Sequence, residues 1–363
     1  MKKLLLIYTP YRTFSGSLHE MVVEALKSTG LGVDYLDIEN LPVFQNDYWP
    51  DKIRNIFERK FRNNKLYSVI AENKFHNRFF LKQLKEHQRT GKKYDYVLII
   101  KPEEYSPEFI KIATSLGDKT AGYIWDGLRL FFKPNILKSR KYLDNLYSFD
   151  ISNIQEHPDL EMKFCPNFAV FNQEVIPYEQ RKTDLFYVGD LAGKLESQRR
   201  DLKLSHFLQK ITGNFDVNIW KRESFQNLKS LNDPNLKYIQ SPISLSESLN
   251  RTRNSKIVID ICKGHHIGLS FRFFECLAAE TKVITNNRDV VNYDFYNPEN
   301  IMVVDFEQDI LEENVFEEFI QTPYKTISSE ILDKYSIGNW MKYIFQSGDY
   351  KNYQHKLLPI YNA

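Results

Sequence analysis

Short apolar runs alternate with amphipathic stretches along the first half of the chain. A strand that is covered on both faces is apolar throughout, so we interpret three of these runs as buried strands: Lys3–Tyr8, Tyr94–Lys101 and Thr120–Trp125. Leu146–Ile151 and Phe164–Asn167 are shorter strand candidates. The stretches between the runs repeat apolar residues at helical spacing: residues 16–28, 107–116 and 134–145. This alternation predicts a parallel sheet flanked by helices.

A second alternating series follows a polar stretch near Pro177. Its apolar runs predict further strands: Leu185–Val188, Asp216–Trp220, Lys256–Cys262 and Lys282–Thr285. A chain of 363 residues is too long for one ordinary core, so two domains are expected. We therefore predict the α/β fold class, with two doubly wound, Rossmann-like domains at residues 1–178 and 179–339.

The composition indicates a folded chain, and the net charge limits the classes of partner that it could bind. Apolar residues make up 42% of the chain and aromatic residues 14%, which is ample for packed cores. A formal net charge of +2 argues against a general polyanion-binding protein, and no nucleic acid is expected as a partner. Three separated cysteines without a C-x-x-C pair fit a reducing cytoplasm. No apolar run approaches the ~18–20 residues that span a membrane, and the N-terminal run is too short for a signal peptide.

Residues 51–93 depart from this average charge. They carry thirteen Lys or Arg against four Asp or Glu, with aromatic residues interleaved at helical spacing. We expect two long helices here. Their aromatic residues could simply face the core, but the composition also suits peripheral contact with an anionic membrane surface or with nucleic acid.

Residues 263–297 form the central candidate site, directly after the apolar run Lys256–Cys262. A loop with a glycine at each end leads into a helix that places Arg272 in its first turn and Glu275 one turn later. A helix N-terminus offers unpaired N–H groups and a partial positive charge to an anion. Arg272 suits a phosphate and Glu275 a pair of hydroxyls, so the pair indicates a nucleotide diphosphate with its ribose. The alternative is that Arg272 is a solvated helix residue and Glu275 a partner in a surface ion pair.

Other polar residues fall on loops at the same edge of the predicted sheet, where ligands bind in open α/β sheets. Asn286 and Tyr293 lie on the loop after the next strand. In the glycine-containing stretch Gly189–Arg199, Lys194 and Arg199 could meet the distal phosphate. This stretch is neither a Walker A nor a G-x-G-x-x-G sequence, and a plain turn is an equal alternative.

The first domain offers its own candidates. Asp126 follows a predicted strand and could act as a general base in an interdomain cleft, although a turn or capping role is an equal alternative. His19 and Arg129 would border the same cleft on the acceptor side. His265 and His266 have no other His or Cys at a ligand-like spacing nearby, so no metal site is expected.

The stretch GLSFRFFECLAAETKVITNN, with the later YDFYNPENIMVV, resembles the donor-binding half of bacterial GT-B glycosyltransferases that build surface polysaccharide. Relatives from lipopolysaccharide and capsule biosynthesis carry Gly-Leu-x-x-Arg-x-Phe-Glu-x-Leu-x-Ala. The matching positions are Gly268, Leu269, Arg272, Phe274, Glu275, Leu277 and Ala279. The resemblance is specific over about 45 residues and weaker over Asp184–Arg199 and around Tyr123–Arg129. In the rest of the chain it is limited to the predicted order of strands and helices.

The resemblance implies two Rossmann-like domains that face an interdomain cleft. The first would hold a glycan or glycolipid acceptor and the second a nucleotide-sugar donor, with residues 340–363 crossing back to the first domain. It implies transfer of a hexose from a nucleotide-diphosphate sugar, expected to be UDP-linked, to a hydroxyl of a lipopolysaccharide or capsule glycan. Basic side chains and the helix dipole would stabilise the diphosphate, so neither a metal nor another cofactor is expected. The expected location is the cytoplasm, at the cytoplasmic face of the inner membrane if residues 51–93 contact it.

One position departs from the family pattern. Many retaining members carry Glu-x7-Glu with the second acid at the Glu275 position, but the first would be residue 267, which is Ile267. The stereochemistry therefore stays open: inversion would require a base such as Asp126, whereas retention would let the donor phosphate assist. Two alternative functions remain, a nucleotide-sugar 2-epimerase of the same fold and a non-catalytic protein whose basic helices bind membrane or nucleic acid.

Overall fold

A computed structural model describes residues 1–8, 15–38, 40–42, 44, 53–54, 56–58, 60, 67–128, 132–191, 198–222, 225–262, 267–307 and 312–356. For residues 15–19, 68 and 69 it describes the backbone alone. Four residues that the sequence singled out lie outside these ranges: Arg129, Lys194, His265 and His266.

The first six strands form one parallel sheet in the order β2-β1-β3-β4-β5-β6. Their bounds are β1 Lys3–Ile7, β2 Gly32–Tyr35, β3 Tyr94–Ile100, β4 Gly117–Ile124, β5 Asn145–Ser148 and β6 Lys163–Phe164. Residues 4–7 of β1 and 97–100 of β3 are fully buried, because helices cover the central strands on both faces. Their sequences are therefore continuous apolar runs.

The next six strands form a second parallel sheet in the order β12-β11-β10-β7-β8-β9. Their bounds are β7 Thr183–Asp190, β8 Phe215–Trp220, β9 Leu236–Ile239, β10 Ser255–Asp260, β11 Lys282–Thr285 and β12 Ile301–Val303. The strand order changes direction between β1 and β3 in the first sheet and between β7 and β10 in the second. These two sheets, each flanked by helices, confirm the predicted architecture of two Rossmann-like domains.

The helices lie between and after the strands. The α-helices are α1 Ser15–Ser28, α2 Tyr67–Arg89, α3 Pro107–Thr114, α4 Lys133–Ser139, α5 Ile151–Glu156, α6 Arg200–Leu208, α7 Leu245–Arg253, α8 Phe271–Ala279, α9 Glu313–Gln321, α10 Ser329–Lys334 and α11 Ile337–Ile344. Short 3-10 helices span Pro102–Glu104, Arg140–Tyr142, Pro158–Leu160, Tyr178–Gln180 and Arg288–Asn292.

The two shorter strand candidates of the first sheet both end three residues earlier than predicted. The predicted strand Leu146–Ile151 ends at Ser148. It ends there because the Asp150 side chain accepts a hydrogen bond from Ser152 N at 3.0 Å and caps α5. The predicted strand Phe164–Asn167 is reduced to Lys163–Phe164, the two residues that pair with β5.

Residues 51–93 contain one long helix, α2, and the described residues between positions 53 and 60 are helical as well. The other residues of the first predicted helix lie outside the described ranges, so its length stays a prediction. Phe80 and Leu84 of α2 are buried in the first core at 2% and 0% exposure. The aromatic residues of this helix thus pack inward in part, as the core-packing interpretation expects. Contact with a membrane stays a prediction. In the described ranges, no helix is both long enough and apolar enough to cross a bilayer.

One continuous apolar core joins the two sheets. It contains Tyr123 of β4 and Phe273 of α8. Trp340 of α11 completes it, with its indole N–H donating to Pro166 O at 3.0 Å and its ring 5.0 Å from that of Tyr123. The helix α11 therefore packs against the first sheet. The bounds 1–178, 179–339 and 340–363 stay predictions.

Candidate functional site

The second sheet changes its strand order between β7 and β10, and open α/β sheets bind ligands at the carboxyl ends of strands at such a point. β7 ends at Asp190 and β10 at Asp260, two carboxylates that are largely buried. Helix α8 begins beyond β10, after the N-cap residue Ser270, whose hydroxyl donates to Asp260 Oδ1 at 2.8 Å. The N-terminus of α8 therefore lies at this switch point.

Two arginines bind the carboxylate of Asp190. Arg200, the first residue of α6, donates to Asp190 Oδ1 at 2.9 Å and to Ile261 O at 3.1 Å. Arg222, which follows β8, also pairs with Asp190 and keeps about half of its side chain exposed. The Arg200 guanidinium is buried and fixed by its partners, whereas the Arg222 guanidinium is accessible from solvent. An anion could therefore reach Arg222 without a large rearrangement.

Arg272 adds a third guanidinium from the first turn of α8. It donates to Ile259 O at 3.3 Å and lies over the ring of Tyr187, 5.8 Å from the ring centroid. Arg200, Asp190 and Asp260 also interact electrostatically with the Tyr187 hydroxyl. These charged groups therefore lie around the same side chain. We call Arg200, Arg222 and Arg272 the arginine cluster. Against the two aspartates it leaves one net positive charge, which suits an anion.

Glu275 lines a cavity of about 240 Å³ between the two domains. Helix α1 of the first domain contributes Glu20 and Glu24 to its wall, and Leu249 of α7 and Phe271 of α8 contribute apolar surface. Carboxylates beside apolar and aromatic surface are the groups that bind sugars and nucleosides through hydroxyls and ring faces. The cavity is therefore a candidate binding site for a polar ring.

Arg272 and Glu275 use different faces of α8. Phe271, Glu275 and Ala278 are spaced at about one turn and line the cavity, whereas Arg272 lies against Tyr187. Burial raises the pKa of Glu275, and Arg272 opposes that rise. The helix thus presents a guanidinium group and a carboxylate to adjacent spaces. Their roles in binding an anion and a pair of hydroxyls stay predictions.

Asp126 lies at the carboxyl edge of the first sheet, two residues after β4 ends. Its carboxylate is about half exposed and pairs with the ammonium group of Lys101, which is buried at the end of β3. The neighbouring Trp125 packs its ring on Phe271 of α8. This contact places the first-domain candidate base beside the helix that carries the second-domain site.

The two predicted glycines each permit a close contact. Gly189 lies inside β7, and a Cβ atom there would be 2.3 Å from the Tyr187 hydroxyl oxygen, so glycine makes room for that side chain. A Cβ atom on Gly268 would be 2.7 Å from Phe149 O in the first domain. Gly268 therefore permits the close approach of the two domains just before α8.

Two other predicted residues, Arg199 and Tyr293, have contacts outside the arginine cluster. The guanidinium group of Arg199 pairs with the buried Asp201 and donates to Lys229 O at 3.2 Å. Tyr293 is buried against Phe164 and His355. The contacts of these two side chains give them structural roles.

Asn286 and His19 occupy the predicted elements. Asn286 Oδ1 accepts a hydrogen bond from Cys262 N at 2.8 Å and so joins the loops after β10 and β11. His19 belongs to α1, but its side chain lies outside the described atoms.

Sequence reasoning missed Asp190, Asp260, Arg200, Arg222 and Lys101. A signal existed for the two aspartates, since each is the last residue of an apolar strand and therefore lies at the edge where ligands bind. Arg200 stood next to the predicted Arg199. Nothing local distinguishes Arg222 and Lys101, because their partners come from other strands.

Over the residues that the structure describes, no group of three or more His, Cys, Asp and Glu side chains is arranged to hold a metal ion.

Comparisons with known proteins resolve the fold. Neither a protein-family model nor a curated protein sequence matches the chain. Solved structures do match. An alpha-glucosyltransferase in complex with UDP and a 13-mer DNA has a TM-score of 0.50 at 11% identity, covering 95% of this chain and 96% of its own. S. aureus MnaA with UDP has a TM-score of 0.50 at 12% identity, covering 97% of this chain and 100% of its own.

The lipopolysaccharide outer core galactosyltransferase WaaB in its apo form is also similar, with a TM-score of 0.45 at 13% identity over 91% of each chain. Identities this low establish a shared fold and no shared activity. With its two parallel six-stranded sheets and these structural neighbours, the chain has the GT-B fold.

Proposed function

We propose that the protein is a glycosyltransferase that moves a hexose from a nucleotide-diphosphate sugar to a hydroxyl group. The observation that carries this proposal is the position of the arginine cluster and the Glu275 cavity on adjacent faces of α8, at the switch point of the second sheet. A diphosphate needs several positive groups, and a ribose needs a hydrogen-bond acceptor for two neighbouring hydroxyls. The site supplies both, because Arg272 and Glu275 lie within one turn of α8 while Arg200 and Arg222 bind Asp190 at the end of β7.

The donor would bind across α8. The arginine cluster and the N–H groups from Gly268 onward would hold the diphosphate, and the Glu275 carboxylate would accept hydrogen bonds from the two ribose hydroxyls. Two solved structures of this fold were obtained with UDP, which supports UDP as the nucleotide. Lys194 is proposed to add to the distal phosphate site, while Arg199, Asn286 and Tyr293 would support the site indirectly.

The transfer step would take place between the two domains. The acceptor hydroxyl oxygen forms a bond to the anomeric carbon while the bond from that carbon to the diphosphate oxygen breaks. The electron pair leaves with the diphosphate, whose growing negative charge the arginine cluster stabilises. The acceptor proton passes to the Asp126 carboxylate, which is exposed and lies at the facing edge of the first sheet. On this route no divalent metal is needed.

The acceptor is proposed to be a glycan or glycolipid of lipopolysaccharide or capsule type, bound by the first domain with help from His19 and Arg129. The resemblance of the sequence to enzymes of surface polysaccharide synthesis supports this choice. Ile53, Ile56 and Phe57 are all exposed by about half within the basic region 51–93. Exposed apolar side chains among basic residues support a peripheral contact with the inner membrane.

The proposal is tested by turnover of defined donors. The protein is incubated with UDP-glucose, UDP-galactose or UDP-N-acetylglucosamine, with and without glycan acceptors, in the presence of EDTA, and released UDP is measured. We expect UDP release that depends on the protein and is lost in Arg272→Ala. Arg251→Ala is the matched control, because Arg251 pairs with Glu247 and Asp216 on α7 and β8, outside the arginine cluster.

Proton NMR of the reaction with donor alone separates transfer from epimerisation. Formation of a 2-epimer of the donor sugar without acceptor would favour the alternative epimerase. Failure of every nucleotide sugar to react or to bind would contradict both enzymatic functions.

A further inference from the structure

Lys101 has an unusual backbone conformation at the end of β3. Its φ of 55° and ψ of 54° lie in the left-handed region, which a residue with a Cβ atom adopts only at a cost in free energy. Its N–H donates to Tyr123 O at 2.9 Å and continues the pairing of β3 with β4. The 3-10 helix Pro102–Glu104 then begins at once. The surrounding structure therefore fixes the direction of the Lys101 side chain.

The side chain of Lys101 is hidden while its partner is accessible. Its ammonium group pairs with Asp126 Oδ2, and the two side chains are 7% and 49% exposed. An ordinary surface ion pair has two mobile, exposed partners and contributes little. Here the cation is buried in the protein, and the carboxylate is about half exposed at the carboxyl edge of the first sheet.

Acidic groups crowd the same edge of the sheet. Glu103 and Glu104, from the 3-10 helix after β3, are almost fully buried, and Tyr8 comes from the end of β1. Burial and the nearby charge of Glu104 raise the pKa of Glu103 to about 8. Burial raises the pKa of Tyr8, and the charges of Asp126 and Glu104 add to the rise. Without a cation, these neighbours would favour the protonated form of Asp126.

We propose that Lys101 is a positioning residue, which keeps the Asp126 carboxylate ionised and directed into the interdomain cleft. This role rests on the proposed function, in which Asp126 accepts the proton of the acceptor hydroxyl. The strained backbone of Lys101 then has a purpose, because it points a long cationic side chain back along the sheet edge toward the next strand.

The titration of Asp126 tests this role without any turnover. The protein is labelled with ¹³C at the aspartate carboxyl carbons, and Asp126→Asn identifies the signal. In Lys101→Met the midpoint of the Asp126 titration should rise by about one pH unit or more, and in Lys101→Arg it should return to within about half a unit of the wild-type value. Lys101→Gln, which keeps a polar group at the buried position, provides a second neutral variant if Lys101→Met does not fold.

A matched ion pair controls for general effects of removing a lysine. Lys133 pairs with Asp159 at 3.1 Å, and the Asp159 side chain is 47% exposed, close to that of Asp126. Lys133→Met should leave the Asp126 midpoint unchanged. Once a donor and an acceptor are identified, kcat can be measured against pH. The acidic limb of that profile should shift together with the Asp126 titration midpoint in the Lys101 variants, while the KM for the donor stays constant.

An Asp126 midpoint that is the same in wild type, Lys101→Met and Lys101→Gln would overturn the positioning role. A shift of the Asp126 midpoint in Lys133→Met that equals the shift in Lys101→Met would also overturn it. A shifted midpoint in a protein that turns over no nucleotide sugar would leave the ion pair established and contradict the proposed function instead, so the two failures are distinguishable.

Discussion

The indole ring of Trp125 stacks on the phenyl ring of Phe271, with ring centroids 4.6 Å apart and planes inclined by 28°. Trp125 follows β4 of the first domain, and Phe271 is the first residue of α8 in the second. The next residue after each ring is a candidate functional group, Asp126 and Arg272. One aromatic contact between the domains therefore brings the candidate base and the candidate phosphate-binding helix to the same place.

Removing this contact should affect both stability and donor use. Phe271→Ala should lower the free energy of unfolding by about 2–3 kcal/mol, because a partly buried aromatic contact is lost. It should also lower kcat/KM, since the domains no longer hold a fixed orientation. Urea denaturation and donor kinetics measure the two effects.

Phe171→Ala is the control variant. Phe171 is 43% exposed in the segment between the sheets, and its removal should change the free energy of unfolding by less than about 0.5 kcal/mol. Equal losses in the two variants would contradict the role of the stack.

Arg199 and Arg200 should have separable effects despite similar burial. Their side chains are 13% and 12% exposed, but Arg200 belongs to the arginine cluster and Arg199 pairs with Asp201. Arg200→Gln should weaken UDP binding by about tenfold or more, because a charge-assisted contact of about 1.5–3 kcal/mol is lost.

Arg199→Gln should instead lower stability by about 3 kcal/mol, because it leaves the fully buried Asp201 without its cation, and should leave UDP affinity nearly unchanged. Titration calorimetry and urea denaturation on both variants distinguish the roles. The reverse pattern would show that the arginine cluster is wrongly assigned.

Glu103 should make stability fall as pH rises. Its pKa is raised from an ordinary value of 4.5 to about 8 by burial, so between these values the folded state keeps a proton that the unfolded state has lost. Its contribution is fully present below pH 4.5 and is lost as pH rises through 8, with a slope of about 1.4 kcal/mol per pH unit for one proton.

Glu103→Gln should therefore flatten the pH dependence of the free energy of unfolding between about pH 5 and 8, a range that follows from the raised pKa. Denaturation curves at several pH values measure the slope. A variant with the wild-type slope would mean that Glu103 titrates in its ordinary range.

The pair His355–Asp289 should anchor the C-terminal segment. His355 Nε2 lies 3.0 Å and 3.1 Å from the two Asp289 carboxylate oxygens, and both side chains are buried. His355→Ala should cost about 3 kcal/mol of stability, since a buried carboxylate loses its partner. The exposed His206 on α6 provides the control variant His206→Ala, and equal stabilities of the two variants in urea would contradict the anchoring role.

Most of the fold could be predicted because it depends on local patterns. The run Lys256–Cys262, the helical stretch around Arg272 and the run Lys282–Thr285 became β10, α8 and β11 with small changes in bounds. The spacing of apolar residues indicates which segments are buried and whether each is a strand or a helix. The alternation of strands and helices along the chain then predicts parallel sheets flanked by helices. Strand ends were less predictable, since the capping side chain of Asp150 stops a strand that its apolar sequence would continue.

The site could be predicted only in part, because side-chain direction depends on packing. The sequence placed Arg272 and Glu275 on one helix, but their division between the arginine cluster and the cavity follows from contacts with Tyr187 and α1. Arg199 is the N-cap residue of α6 and has an extended backbone, whereas Arg200 is the first helical residue, so the two side chains leave the chain in different directions. The pairing of Lys101 with Asp126 joins two strands and has no local signal.

Binding of UDP measured by titration calorimetry tests the central claim most directly. The wild-type protein should bind UDP, and Glu275→Ala should bind it at least about tenfold more weakly, because the ribose hydroxyls lose a charged acceptor. Glu318→Ala, which removes an exposed glutamate on α9, should bind like the wild type. If the wild-type protein does not bind UDP, or if Glu275→Ala binds it as tightly, Glu275 does not hold a nucleotide ribose and the account is contradicted.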